Sequence, residues 1–418
     1  MSNASMTLRG PGRAIPLTPS IRSAIESFKV MDVMRAAAAR EAAGATVIHM
    51  EVGQPGTPAP ATAIAAVERA MRKETLGYTL ALGMPELRRR IAQHYRDAYD
   101  VAVEEERIVI TTGSSGGFLL AFLSALDAGD GILLPTPGYP CYLNIALALG
   151  LKPTFLASGP QNRWTVEPAL VSDVARKTGA KALLVASPNN PTGTMLSPDR
   201  LAAVGQACRD AGIWMISDEI YHGLVFEGRA ATALATNPDA IVINSFSKYF
   251  SMTGWRIGWM VVPPALIDAI ERLAQNFFIC PPSVAQHAAL AAFDGREELD
   301  GHRRTYARNR QMLLEALPKL GFDCSVPPDG AFYLYAGVGA LSDSASTFAR
   351  RMLEEVGIAA TAGVDFHVRG DWPVFGTAAN TPDADRAEQF IRFSYSRTEA
   401  EVAEGIRRLQ AWSRLRGV

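Results

Sequence analysis

Lys181-Ala-Leu-Leu-Val-Ala-Ser187, then Pro188-Asn-Asn-Pro-Thr-Gly193, a helical stretch from Pro198 to Ala211, Ile213-Trp-Met-Ile-Ser217 and Asp218-Glu-Ile-Tyr221: this passage decides the fold. Its two apolar runs are continuous rather than alternating, which marks strands buried on both faces. The helix between them opens with proline at a first-turn position. Strand, helix and strand in that order imply a right-handed crossover between parallel neighbours.

The same pattern extends outward. Arg107-Ile-Val-Ile-Thr-Thr112, Ile132-Leu-Leu134 and Ile241-Val-Ile-Asn-Ser245 read as further buried strands, and Gly116 to Asp127 and Pro140 to Leu149 as helices. The expected fold is α/β: a three-layer large domain with a mainly parallel central sheet over residues 61–296, plus a smaller α+β domain built from both chain termini. That smaller domain takes residues 297–418 and is joined by an N-terminal arm, residues 1–60. An Arg-rich helix (Gly301 to Leu317), a short strand pair near Phe322 to Tyr335, a helix from Ser344 to Val356 and a last helix from Glu399 are expected within it.

Composition narrows the functional class. Forty-one basic residues against forty-two acidic leave a net charge of -1, so no broad electrostatic footprint for nucleic acid is present. Cys141, Cys208, Cys280 and Cys324 are scattered without Cys-x-x-Cys spacing, so the chain encodes neither a local metal site nor a disulfide framework. No apolar span is long enough to cross a bilayer. A cytoplasmic protein with small-molecule partners is the expectation.

In an open parallel sheet, ligands bind beyond the carboxyl ends of the strands, so the residues following each strand carry the chemistry. Thr112 leads into Gly113-Ser114-Ser115-Gly116-Gly117 at a helix start, a corner suited to an anion such as phosphate. Ser187 leads to Asn190, Ser217 to Asp218 and Tyr221, and Asn244 to Ser245, Ser247, Lys248 and Arg256. One by one these are a turn, a helix cap and surface charges. Delivered to one rim, they match pyridoxal phosphate: a lysine amine for its aldehyde in a Schiff base, hydroxyls and a guanidinium for its phosphate, and a carboxylate for its ring nitrogen. Asn190 and Tyr221 suit the ring's phenolate oxygen, and Tyr139 is placed to stack on the ring.

The runs 187–193, 217–221 and 245–258, in that order, resemble the class I/II aminotransferases of pyridoxal-phosphate fold type I. Asn190 and Asp218 lie 28 residues apart, and Asp218 and Lys248 lie 30 apart. The resemblance implies transfer of an amino group from an α-amino acid to a 2-oxo acid by ping-pong chemistry. It implies Lys248 as the covalent anchor and proton carrier, with Ser114, Ser115, Ser245, Ser247 and Arg256 on the phosphate. Arg392 and Gly53 are implied on the substrate α-carboxylate, with Asn190 also facing the substrate. Tyr78 is implied to reach the phosphate of a neighbouring subunit, in a homodimer with shared active sites.

Two departures from the family pattern stand beside the expected substrate mouth: Ala362-Gly363 in place of Pro-Gly, and a long connection from Gly370 to Arg392. Phe277, Phe278 and Ile279 are candidates for the side-chain pocket, or for packing at an interface. Two rival functions remain open from the residues. A lyase or decarboxylase on the same fold would use the same cofactor groups. A serine hydrolase would read Ser245-Phe-Ser-Lys248 as Ser-x-x-Lys, although Lys177-Thr-Gly179 precedes that motif where it should follow.

Overall fold

The structure is a computed structural model that describes residues 17–368, 370–376 and 383–416. Seven strands of the large sheet come from one stretch: β1 (Ile108–Thr111), β2 (Gly131–Thr136), β3 (Lys152–Ala157), β4 (Ala182–Ala186), β5 (Trp214–Asp218), β6 (Ile241–Ser245) and β7 (Gly258–Val261). Three strands of a smaller sheet are β8 (Tyr333–Gly337), β9 (Thr361–Ala362) and β11 (Phe390–Ser394), while β10 (Val374–Phe375) returns to the large sheet. The large sheet has the order β10-β3-β2-β4-β5-β6-β7-β1. It is parallel throughout except that β7 runs against both of its neighbours, β6 and β1.

Alternation within the continuous apolar runs builds two cores, one on each face. Leu183 and Val185 of β4 enter one core with Leu87, Ile91 and Val204 from helices Pro85–Tyr99 and Pro198–Ala211. Ala182 and Leu184 enter the other with Phe118, Phe122 and Ile270 from helices Gly113–Ala125 and Pro264–Phe277. A strand with both faces covered has no polar side to alternate, hence its unbroken apolar sequence. The helix Pro198–Ala211 starts and stops as its residues dictate. Ser197 accepts the Arg200 N–H at 3.3 Å, Pro198 takes the first turn, and Gly212 closes the end at φ 64°.

A third core lies around the smaller sheet, with Tyr306, Phe332, Leu334, Phe348, Ile391 and Phe393 fully or nearly fully buried. Ile48 and Met50 join it, and Ile48–His49 pairs in parallel with Ile358–Ala359. The strand pair expected near Phe322 to Tyr335 is different in the structure. β8 pairs antiparallel with β11, and Asp323 makes only an isolated bridge to Gly337. The helix expected from Gly301 begins at Arg296.

Candidate active site

Because β7 reverses between them, β1 runs parallel to β6, and β1, β4, β5 and β6 all end at one rim. A cavity of about 310 Å3 opens there, within the range of small-molecule sites. Lys248 lies three residues beyond β6, and its Nζ donates to the Gly53 carbonyl at 2.6 Å. Burial pushes the amine down to about 8; the cations of Arg392 and Arg256 act the same way, and Asp218 opposes them.

Asp218 ends β5 and is buried. One carboxylate oxygen accepts the Ile220 N–H at 3.0 Å, and the other accepts the Tyr142 hydroxyl. Burial pushes this carboxyl up to about 6, against the two hydrogen bonds and the nearby Lys248. Tyr142 was not anticipated from the sequence. It stands three residues after Tyr139 at the start of helix Pro140–Ala148, a spacing that sets both rings on one side. The two rings meet edge to face at 5.5 Å, and Tyr139 also stacks on Phe28 at 5.9 Å.

The anion corner forms at the start of helix Gly113–Ala125. Ser114, Ser115, Ser247 and Arg256 line the cavity here. Gly113 has φ +72°, and a Cβ on it would stand 2.5 Å from Arg256 Nη2, so glycine is what lets the guanidinium approach the helix N-terminus. Ser245 differs from expectation. It lies behind Ser247 rather than on the cavity wall, with its Oγ 2.8 Å from Ser247 Oγ, 3.1 Å from the Ile257 carbonyl, and accepting the Ser247 N–H at 3.1 Å.

Arg392 sits on β11, the central strand of the smaller sheet, in register with Tyr335 and Thr361. Its Nη1 donates to Asn190 Oδ1 at 2.8 Å, its Nη2 donates to the Glu51 carbonyl, and its Nε is buried without a hydrogen-bond partner. The rings of Tyr333 and Phe366 lie 4.4 and 4.7 Å from the guanidinium carbon. Tyr333, a second residue missed in the sequence, shares a hydrogen bond with Tyr221 at 2.8 Å. A Cβ on Gly53 would come 2.1 Å from the Tyr333 hydroxyl oxygen.

The family profile described as aminotransferase class I and II matches residues 45–409. The chain belongs to the class I and II aminotransferases. It is 41% identical to a valine–pyruvate aminotransferase of Mycobacterium tuberculosis, with 94% of this chain and 98% of that protein aligned. It is 33% identical to a (5-formylfuran-3-yl)methyl phosphate transaminase of Methanocaldococcus jannaschii, over 92% and 96% of the two chains. A solved aminotransferase from Mycobacterium tuberculosis superposes with a TM-score of 0.90 at 40% identity, covering 96% of this chain and 100% of that one.

The hydrolase rival finds no geometry in this aminotransferase. Lys177 and Thr178 end helix Pro168–Thr178, which leads into the start of β4, whereas Ser245 ends β6, two strands away and at the opposite end of the parallel strands. Tyr78 is 83% exposed and does not line the cavity of its own chain. Nor do Phe277, Phe278 and Ile279; Phe277 and Ile279 are half exposed beside the Tyr78 segment, where the Thr79 N–H donates to Cys280 Sγ at 3.4 Å. Of the long connection before Arg392, residues 377–382 lie outside the described residues. Its start forms β10 on the edge of the large sheet, with Val374 opposite Phe155. Ala362 closes β9, and a Cβ on Gly363 would lie 2.4 Å from the Ala387 carbonyl oxygen.

Proposed function

We propose that this aminotransferase uses pyridoxal phosphate to move an amino group from an α-amino acid to a 2-oxo acid, with Lys248 as its covalent anchor and proton carrier. The observation that carries this reading is the shared cavity: a lysine amine held near neutral, a buried carboxylate and a Ser/Arg corner at a helix N-terminus all face one space. These are the donor and acceptor types that an aldehyde, a pyridine nitrogen and a phosphate require. When bound, the cofactor supplies an electrophilic carbon and a ring that delocalises negative charge from the substrate Cα.

Arg392 takes the substrate α-carboxylate, since its buried Nε has an unspent donor and its planar fork suits a bidentate pair. Its bond to Asn190 Oδ1 turns the Asn190 amide NH2 away from the arginine, leaving it free to donate to the cofactor's phenolic oxygen when the cofactor is bound. Tyr221, tethered to Tyr333, would offer its hydroxyl to the same oxygen. Asp218 would pair with the protonated ring nitrogen, and the Ile220 N–H and Tyr142 hydroxyl fix the orientation of its carboxylate. Lys248, whose amine burial lowers to about 8, would be the group that holds and moves the proton at the substrate Cα near neutral pH. Holding the carboxylate in Arg392 favours breaking the Cα–H bond over losing the carboxylate, which sets transamination above decarboxylation.

The assembly is read as a cytoplasmic homodimer in which Tyr78 crosses to the partner's phosphate. Its supports are the exposure of Tyr78, Leu80, Phe277 and Ile279, and the absence, among the described residues, of a helix long and apolar enough to cross a membrane. The sheet with its two flanking cores is taken as a cofactor domain over 61–296, and 1–60 with 297–418 as the smaller domain. Borohydride reduction of the cofactor-loaded protein followed by peptide mapping tests the anchor. The label is expected on Lys248 and is expected to vanish in Lys248→Ala; a label elsewhere, or an active Lys248→Ala, refutes the proposal.

A further inference from the structure

A second cavity, of about 390 Å3, shares no lining residue with the active site. Its walls are nevertheless the next residues along the same segments: His222 and Gly223 follow Tyr221, and Tyr249 and Phe250 follow Lys248. A Cβ on Gly223 would stand 2.6 Å from the Tyr249 ring, so the two segments close on each other there. None of the exposed apolar residues read above as facing a partner subunit, Tyr78, Leu80, Phe277 and Ile279, lines this cavity.

Aromatic rings and cations meet in it. Phe250, Trp259 and Phe293 are buried, and Tyr99 and Tyr249 pack against the same core. Arg90, Arg229, Arg296 and Arg303 line the cavity against two carboxylates, Asp97 and Asp300. Both carboxylates are already engaged. Asp97 accepts Gln93 Nε2 at 2.6 Å; Asp300 accepts the Tyr249 hydroxyl at 3.0 Å and lies 3.5 Å from Arg303 and 3.7 Å from Arg296. Arg90 and Arg229 have no ion pair among the described residues. The Arg90 guanidinium carbon lies 4.2 Å from the Phe293 ring centroid, and its Nη1 is buried without a hydrogen-bond partner. A buried donor left unmade costs roughly 1–3 kcal/mol, and more when it is charged. Asn244, 4% exposed, adds a second donor: its Oδ1 accepts the Ser245 N–H at 2.7 Å, which leaves its amide NH2 for the cavity.

We propose that this cavity is a second, noncatalytic small-molecule site, and that its ligand is an organic anion whose carboxylate pairs with Arg90 and whose flat apolar body packs on the aromatic walls. The volume lies within the range of small-molecule sites. A carboxylate supplies the acceptor that the Arg90 fork lacks, and exposed Arg229 adds positive charge at the same cavity. An inorganic anion would satisfy Arg90 and leave the rings uncovered. A neutral aromatic would cover the rings and leave Arg90 unpaired, while an organic cation would meet four arginines. The inference goes beyond the aminotransfer reading and does not depend on it, because the two cavities have no lining residue in common.

The test is calorimetric titration of the full chain loaded with pyridoxal phosphate, with 2-naphthoate as the probe and 2-naphthylmethylamine and inorganic phosphate as controls. A carboxylate can also reach Arg392, so the titration is repeated in Arg392→Gln. One 2-naphthoate per chain is expected to bind in Arg392→Gln. In that background Arg90→Met is expected to weaken binding about 10-fold or more, since methionine keeps an unbranched stem over Phe293 and removes the charge. Arg229→Met, at an exposed position, is expected to weaken it about 2- to 5-fold; it carries the test if Arg90→Met does not fold. The amine is expected not to bind, and phosphate to bind more weakly than 2-naphthoate. Loss of 2-naphthoate binding in Arg392→Gln overturns the proposal, and so does parent-like binding in both the Arg90 and Arg229 variants. Equal binding of the amine overturns the anion requirement, and equal binding of phosphate overturns the apolar body.

Discussion

Replacing Tyr142 by Phe removes one hydroxyl and leaves the ring that packs edge to face on Tyr139 and Phe118. The lost interaction is the donor to a fully buried carboxylate. A hydrogen bond to a charged group contributes roughly 1.5–3 kcal/mol. At 1.36 kcal/mol per pKa unit, Asp218, held at about 6, should then rise by roughly one to two units. At neutral pH the parent carboxylate is mostly ionised, and in Tyr142→Phe it is mostly protonated.

The sign of the pH effect follows from linkage. A carboxyl whose folded pKa exceeds the unfolded 3.8 binds more protons when folded, so its contribution to stability falls as pH rises from about 4 through about 6 in the parent. In Tyr142→Phe that decline should continue roughly one to two units higher. Chemical denaturation of the cofactor-free protein across this range reads the window directly. A second assay measures the affinity for pyridoxal phosphate, on the reading that its ring nitrogen pairs with the ionised carboxylate: a pKa raised from about 6 by roughly one to two units makes ionisation at pH 7 cost a roughly 2- to 15-fold weaker Kd. In an Asp218→Asn background Tyr142→Phe should have little further effect, because the pair acts as one unit. A parent-like stability window together with a parent-like Kd would refute the assignment of Tyr142 as the residue that keeps Asp218 charged.

Capture of pyridoxal phosphate by the cofactor-free chain should speed up through about pH 8 and then level off, because Lys248 reacts as the free amine and burial has pushed it down from 10.5. Arg392→Gln should move that midpoint upward by removing a cation, and a parent midpoint near 10 would contradict the environment described for Lys248. Gly53→Ala forces a Cβ against the Tyr333 hydroxyl, so kcat/KM should fall at least about 10-fold, with partial recovery when Tyr333→Phe is added; full activity of the single variant would show that the approach is not tight. Light scattering should give about twice the 44.9 kDa chain mass, and Tyr78→Phe should weaken cofactor binding about 10-fold. A monomer with unchanged affinity would remove the shared-site reading.

The large sheet was legible because its strands are buried on both faces, and burial on both faces leaves an unbroken apolar run that the eye can follow. β3 escaped because Lys152-Pro153 opens it, and proline argues against a strand until its neighbours are known. β10 is two residues long and has no pattern to read. The site divides along the same physical line. Asn190, Asp218 and Lys248 were legible because each follows a strand within the sequence that makes the strand, so topology alone delivers them to one rim. Tyr142 and Tyr333 act through partners 76 and 112 residues away, and only the packed rotation of a helix or the register of β8 decides whether their hydroxyls arrive.

Ser245 shows the converse. Its motif position suggested the cavity wall, but β6 ends at Ser245 and the chain turns there, so Ser247 takes that wall while Ser245 braces it from behind. The same division separates the strand-end residues, which could be read, from the cavity wall at Phe28, Val30 and Met31, which could not. The strand-end residues are local to the sequence that makes each strand, whereas that wall depends on Asp365 accepting the N–H of Lys29 across 336 residues of chain. A contact of that range leaves no spacing in the sequence. It is made where the turn Gly363–Asp365 meets the start of helix Lys29–Ala42, far in sequence from Lys248, Asp218 and Arg256.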